Sequence, residues 1–587
     1  MIQVSNEFKK AIKNQERKIK GYVEIVYDLP NYTIISQQTN TNMTTTYTSV
    51  DQISNGVRVE NLYGSLDYLP LNGEYITMDN SVNTNSGFIS DELFENLSIP
   101  NVTISFTQKA INGITMYFKT NIPKNLRIIF SDESIYDIEN NEKEMIQIIF
   151  DNPKTLTYVN ITFFQMEYAD RKIYIDEIDL GITQIYKNQD LIEFTIDEEV
   201  NKLVEEVPTN ETNITLNNMS NLFNPLNPSG IVPYLSKNTL IKPYIGVLTE
   251  NLGVEYVKMG EFYFDSYTNN SDSTTTLIGK NIIKQVENAE ATNGFKDVTF
   301  PKFIDSHQPD IIDLQNKTRK AIIEKSGFNC IVQINDLMTC TLEYAKSYNL
   351  MDFIKQSTLI TFGIVYANRD NTIVIKEPVT SVKDTLTKTE LINDVEYKLI
   401  NKINTIIRKG IIESSTNTGI NYDVLNSSYT LKKSTEIVAF YKINPGADNN
   451  FTYTNFTNAT ILFSTPYFAI IEISGTIGTS GTIKSDTQYQ LNEITPERKI
   501  TNRNEELEVI LETNTDLHTL TGPYETAIGQ LSYAPSYEMK FDYNGDPSLE
   551  AGDYVSVETP YGYKPLFIQK NHFKFDGGLE GHIEGVE

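Results

Sequence analysis

Two prolines set three residues apart, inside a run of alternating apolar and polar residues, constrain this chain more than any other feature. The run begins Asn213-Ile-Thr-Leu-Asn-Asn-Met-Ser-Asn-Leu-Phe-Asn-Pro-Leu-Asn-Pro-Ser-Gly230. It continues with Leu240-Ile-Lys-Pro-Tyr-Ile-Gly-Val247 and Val257-Lys-Met-Gly-Glu-Phe-Tyr-Phe-Asp265. The alternation predicts short strands at Ile214–Leu216, Lys242–Val247 and Gly260–Tyr267. Pro225 and Pro228 fix φ and remove two donors, so Asn224–Pro228 cannot extend a sheet and reads as a rigid loop between strands.

The rest of the chain also reads as β. Strands are expected at Gly21–Asp28, Val102–Phe106, Gly113–Phe118, Asn125–Phe130, Met145–Phe150, Val159–Phe164 and Arg171–Gly181. Further strands are expected at Asp190–Asp197, Thr274–Lys280, Asn401–Arg408, Ser434–Tyr441 and Pro466–Ile473, and from Glu550 to His582. Ser36–Asp51 is polar and reads as a hairpin tip or mobile loop. Helices are expected from Ser5, as N-cap, to about Lys20, over Asp310–Lys325 between Pro309 and Gly327, and over Leu350–Ser357. Asn504–Glu512 suits strand or helix, and Thr521–Leu531 a short helix. Ile360–Lys376 reads as a hairpin with Asn368-Arg-Asp-Asn371 at its tip. At 587 residues the chain is too long for one core, and about three to five domains are expected. The fold class is mainly β with a small α+β part.

Composition narrows the function classes. The net charge is −28, spread along the chain, which disfavours binding to duplex phosphate. Cys330 and Cys340 are the only cysteines, each in an apolar run, and are expected as reduced, buried thiols. No secretory signal and no apolar run of about 20 residues is visible, so no membrane span is expected.

Catalytic patterns are sparse. The four histidines are His307, His518, His572 and His582. None forms a His-Glu-x-x-His or Cys/His ligand set. His572 and His582 would share a face only on an unbroken strand, and Gly577-Gly578 breaks it, so no metal is expected there. His307, beside Pro309, reads as a capping or loop residue. No nucleophile elbow or phosphate loop appears. The carboxylate pairs Asp176-Glu177, Glu205-Glu206 and Glu505-Glu506 read as solvated faces rather than a glycosidase pair. No catalytic, cofactor or metal residue is therefore assigned, and no cofactor. Sugar recognition is the one binding chemistry with candidate residues: Tyr63, Tyr68, Tyr75, Tyr117, Tyr136 and Tyr168, whose rings either stack on sugars or pack a sandwich.

The order strand, Asn-Pro loop, strand, aromatic strand resembles a minor tail protein of phages of Gram-positive bacteria, a tail-tip or baseplate hub. The opening helix with its Gly-x-Val-x-Ile strand, the helix–hairpin with its Arg-Asp-Asn tip, Gly552-Asp-Tyr-Val and Phe575-Asp-Gly-Gly-Leu are similar to that family too. Gly113–Phe118, Leu126–Phe130 and Ile173–Gly181 resemble a discoidin- or galactose-binding-like jelly roll. The resemblance implies a discontinuous hub-like β-barrel domain (1–60 and 183–285) and an inserted β-sandwich (61–182). It further implies an α+β domain (286–385) and C-terminal hub-like domains (386–587). The implied role is a non-enzymatic homo-trimeric ring around the tail channel, made in the host cytoplasm and located in the virion tail. Its implied partners are the distal tail protein or tail tube, the tape measure and receptor-binding proteins, with a host cell-wall glycan as a possible ligand. The alternatives are a glycan-binding tail protein and a tail-associated cell-wall hydrolase.

Overall fold

A computed structural model describes residues 2–27, 33–39, 50–54, 62–64, 75–77, 87–118, 121–201, 206–227, 230–250, 253–271, 273–289, 320, 323–324, 326–333, 340–342, 350–359, 363–377, 381–399, 405–423, 429–441, 451–464, 468–494, 497–499, 510–520 and 537–587. The chain is mainly β, with several sheets and a small helical part.

The largest sheet has 14 strands and joins segments far apart in sequence. Its order is Thr183–Lys187, Ile19–Val26, Leu240–Leu248, Phe262–Ser271, Thr274–Lys280, Glu211–Asn217, Leu191–Glu199, Gly562–Phe575, Leu579–Val586, Tyr537–Tyr543 and Glu396–Leu399. Val254–Lys258, Val382–Leu386 and Tyr554–Thr559 pair off this path. Alternate residues such as Phe194, Ile196, Ile214, Leu216, Phe573 and Ile583 meet in one core. The opening strand lets the C-terminal hairpin approach because residue 21 is glycine: a Cβ there would stand 2.6 Å from the Phe575 ring.

The Asn-Pro loop is a chain of turns. The N–H groups of Asn221, Asn224, Asn227 and Gly230 donate to the carbonyls of Asn218, Asn221, Asn224 and Asn227. Asn thus recurs at the first position of each turn, and Pro225 occupies the second position of one, where its fixed φ fits. Buried Phe223 and Ile231 anchor the loop in the core.

The first helix is shorter than expected. It spans Asn6–Ile12, with Ser5 Oγ accepting from Phe8 N at 3.0 Å. It buries Phe8 and Ile12, and the charged run after Ile12 offers no further apolar position to pack. Arg17 is held instead by the carbonyls of Ile12, Asn544, Gly545 and Leu579, and Ile19 enters the sheet opposite Val247.

A second sheet of seven strands lies between residues 34 and 179. Four of the expected strands merge into two: Asn101–Phe118 and Met145–Met166 run antiparallel, with register shifts between Ser105 and Lys109 and between Ile111 and Gly113. These bulges absorb the polar breaks that divided the runs in sequence. Ile34–Thr39 pairs with Asn101–Phe118, so it belongs to this sheet and not to that of Ile19–Val26. The segment leaves and rejoins the 14-stranded sheet at one place, since Val26 and Thr183 are directly paired.

Leu350–Leu359 is helical, and the strands Ile364–Ala367 and Ile373–Lys376 form the expected hairpin beside Cys330–Gln333. Farther on, Thr405–Asp423 pairs with Ser480–Ile494, and Thr435–Tyr441 with Phe468–Ser474. Most of the helix expected at 310–325, the segment 504–509 and the helix expected at 521–531 lie outside the described residues. Ile510–Leu520 is strand.

Candidate functional site

The 14-stranded sheet turns a charged face outward, and the register sets its charges in rows. Glu199 opposes Lys570, Lys570 opposes Glu584, Glu584 opposes Lys540, and Lys540 opposes Glu396. Lys540 Nζ lies 2.7 Å from Glu584 and 3.1 Å from Glu538, and Lys570 Nζ lies 3.4 Å from Glu199. Partial burial acts to raise the Glu584 carboxyl, but the Lys540 hydrogen bond together with the charges of Lys540 and Lys570 outweighs it and holds the group below its ordinary range. Opposite charges directly across strands favour this register over slipped ones.

The next row is Asp197, His572, His582, Asp542. His572 Nδ1 is 2.7 Å from Asp197 Oδ1, and His582 Nδ1 is 2.6 Å from Asp542 Oδ1. The Gly577-Gly578 break, expected to separate the histidines, is the hairpin turn that sets them face to face. Sequence reasoning missed their two aspartates. The available signal was Lys570-x-His572-x-Lys574 against Glu580-x-His582-x-Glu584, complementary across a Gly-Gly turn.

Beneath this face the Arg-Asp-Asn hairpin tip enters the core. Arg369 and Glu198 are each 5% exposed. Arg369 Nε donates to Glu198 Oε1 at 2.6 Å, Nη1 to Pro547 O at 2.5 Å and Nη2 to Leu549 O at 2.9 Å. Its guanidinium also lies 5.8 Å from the Phe573 ring centre. One side chain thereby joins the hairpin, the middle of the large sheet and the C-terminal segment. Burial pushes the Glu198 carboxyl upward and Arg369 only partly opposes it. At the tip itself Asn368 Oδ1 accepts from Asp370 N and Thr372 N, and Asp370 pairs with Lys258.

The candidate sugar-binding tyrosines among the described residues sit in different settings. Tyr117 is buried and donates to Thr183 O at 3.1 Å. Tyr136 packs edge-on against Phe130 at 5.7 Å. Tyr168 is exposed, with Arg171 Cζ 3.8 Å from its ring centre. Tyr68 and the side chains of Tyr63 and Tyr75 lie outside the described residues. Phe164, which the sequence did not single out, is exposed with Arg127 5.8 Å from its ring centre.

Asp176 and Glu177 are buried, contrary to the expected solvated pair, because both faces of Lys172–Asp179 are covered. Glu206 is exposed. Glu205, Glu505, Glu506 and His307 lie outside the described residues, as do the side chains of His518 and Cys340. Cys330 is a free, buried thiol, pushed by burial up to about 12. Among the described residues no group of three or more His, Cys, Asp or Glu is placed to hold a metal ion, and no helix is long and apolar enough to cross a membrane.

No family model and no curated protein matches the sequence. Solved structures to which the chain is similar include three tail proteins. The 43 kDa tail protein of prophage MuSo2 from Shewanella oneidensis is 9% identical with a TM-score of 0.37, over 69% of this chain and 96% of that one. The tail protein from Neisseria meningitidis MC58 is 9% identical with a TM-score of 0.36, over 68% and 93%. Prophage tail protein gp18 from Listeria monocytogenes EGD-e is 8% identical with a TM-score of 0.32, over 68% and 91%.

Proposed function

We propose that this chain is a structural component of a phage tail tip or baseplate, a hub-like subunit that assembles as a homo-trimeric ring around the tail channel. It links the tail tube or distal tail protein to host-contacting parts and carries out no reaction of its own. The observation that carries this reading is the 14-stranded sheet, in which Ile19–Val26, residues 183–280 and residues 537–586 form one continuous frame. The segment whose sequence resembles the tail-tip proteins, Asn213–Asp265, supplies its middle strands. The module of residues 34–179 leaves that frame between directly paired residues, which suits an accessory unit carried on a scaffold. In this reading the frame, that module, the helix–hairpin region and the sheets between residues 405 and 520 are separate units.

Light scattering on the purified chain, with imaging of tail particles carrying a labelled copy, tests the proposal. A trimer that decorates the tail end is expected. A monomer at every concentration that never joins a tail particle would overturn it.

A second reading, glycan binding by the module of residues 34–179, is favoured by exposed Phe164 and Tyr168, each with an arginine over its ring. Cell-wall pull-down with the full chain, compared with its Tyr168→Ala and Phe164→Ala variants, separates this from a purely structural module.

A further inference from the structure

His572 and His582 oppose each other directly on antiparallel strands, an arrangement that puts Cβ atoms about 4.5–5.5 Å apart. Each ring is fixed from its outer side, His572 by Asp197 and His582 by Asp542. Asp542 is itself braced by Asn393, whose Nδ2 donates to Oδ2 at 2.7 Å and whose Oδ1 accepts from Asp542 N at 2.7 Å. An ionised carboxylate only accepts, so in the neutral ring Nδ1 carries the proton and Nε2 keeps its lone pair. Nε2 lies on the ring edge away from Nδ1. Both Nδ1 atoms are committed to carboxylates on the outer strands, and the Nε2 lone pairs are not taken by those carboxylates. Glu584, two residues along the same face, brings Oε1 to 3.7 Å from His582 Nε2. Histidines whose second nitrogen is held by a carboxylate are oriented as metal-ligating histidines are.

We propose that His572 and His582 form a two-nitrogen chelate for a borderline divalent transition ion of the zinc class, with Asp197 and Asp542 as the orienting partners. Water, or the Glu584 carboxylate after a rotamer change, fills the remaining positions. Two side chains alone make an open, exchangeable site rather than a closed structural one. Imidazole nitrogen prefers zinc over magnesium, so magnesium serves as the control.

The test is titration of the full chain with zinc chloride, read by calorimetry and by the thermal midpoint, beside magnesium chloride. Zinc is expected to release or absorb binding heat and to raise the midpoint with concentration, because an ion that binds only the folded state stabilises it. Magnesium is expected to do neither. His572→Ala and His582→Ala should each weaken zinc binding at least tenfold, and the doubly substituted chain should lose it. Asp197→Asn with Asp542→Asn, which leaves both ligands in place, should weaken it about 10–100-fold. Circular dichroism confirms that each variant is folded. No zinc response in the wild type up to millimolar concentration, or an undiminished response in the double histidine variant, would overturn the proposal.

Discussion

The 14-stranded sheet and the seven-stranded sheet between residues 34 and 179 follow the same alternating pattern and charge their outer faces differently. In the 14-stranded sheet the outward positions of neighbouring strands carry opposite charges in register, as in the row from Glu199 to Glu396. In the seven-stranded sheet Arg127 and Asp137 form one such rung, and Ile35, Ile135, Ile149, Tyr158 and Phe164 stand exposed on its strands, while the larger sheet exposes Ile192, Val382, Tyr397, Leu399 and Tyr563 beside its charged rows. The interiors differ too. The second sheet closes over apolar side chains including Phe106, Phe130, Ile161 and Phe163 and also buries the carboxylates Asp176 and Glu177, whereas the first is crossed by the buried Arg369–Glu198 ion pair. A charge-paired face suits a frame whose strand register must hold.

The largest effect that can break this contrast comes from the arginine. Arg369→Ala leaves Glu198 buried without its partner and Pro547 O and Leu549 O without their donor. It is expected to cost about 3–5 kcal/mol in urea denaturation, with hydrogen exchange in the seven-stranded sheet little changed. Arg369→Met combined with Glu198→Gln removes both charges and should recover much of the loss. A loss below about 1 kcal/mol for Arg369→Ala would mean that the hairpin tip is not the pin between these segments.

A smaller effect has opposite signs in the two sheets. Asp546 is buried beneath the larger sheet, and burial pushes its carboxyl above the ordinary range although Ser548 donates two hydrogen bonds to it. A carboxyl raised by folding binds its proton better in the folded state. Its contribution is therefore fully present below the unfolded value and is lost as pH rises through the folded one. In the smaller sheet Asp137 is held below its ordinary range, first by the Arg127 hydrogen bond, so its contribution is lost as pH falls. Asp546→Asn keeps an oxygen for Ser548 and cannot ionise. The stability of this variant relative to wild type, measured from pH 3 to 7, should grow as pH rises. A flat difference would show that the buried carboxylate carries no cost.

Much of this frame was legible in the residues. Alternation in Asn213–Asn217 and Thr274–Lys280 gave the strands, since each buries every second side chain against one core. Ser5 gave the helix start. What escaped was whatever depends on partners remote in sequence. Nothing near Arg369 announces Glu198, which lies 171 residues away, or the carbonyls of Pro547 and Leu549. The histidine row escaped because a Gly-Gly turn was read as a separation, when a hairpin turn brings the residues on either side of it together. The merging of four runs into two long strands escaped because bulges have no fixed composition, although Gly113 marks one. A Cβ there would lie 2.3 Å from Ile148 O, so only glycine lets the two strands stay this close.

The smallest expected effect compares one charged rung from each sheet. Arg127 Nε lies 2.6 Å from Asp137 Oδ1, and Nη2 lies 3.0 Å from Oδ2, a two-pronged pair on an open face. Lys540 sits between Glu584 and Glu538, within a row whose neighbours are also charged. An isolated exposed pair is worth about 0.2–1 kcal/mol, and a network holds more because each charge has several partners. Arg127→Ala should therefore cost little and lose most of that in 1 M salt. Lys540→Ala removes the cation that Glu584 and Glu538 share, so its cost should be the larger and persist better in salt. Denaturation of both variants at low and high salt decides between them. Equal costs with equal salt dependence would mean that the rows on the larger sheet are independent pairs, and that its charged face does not act as the unit that fixes register.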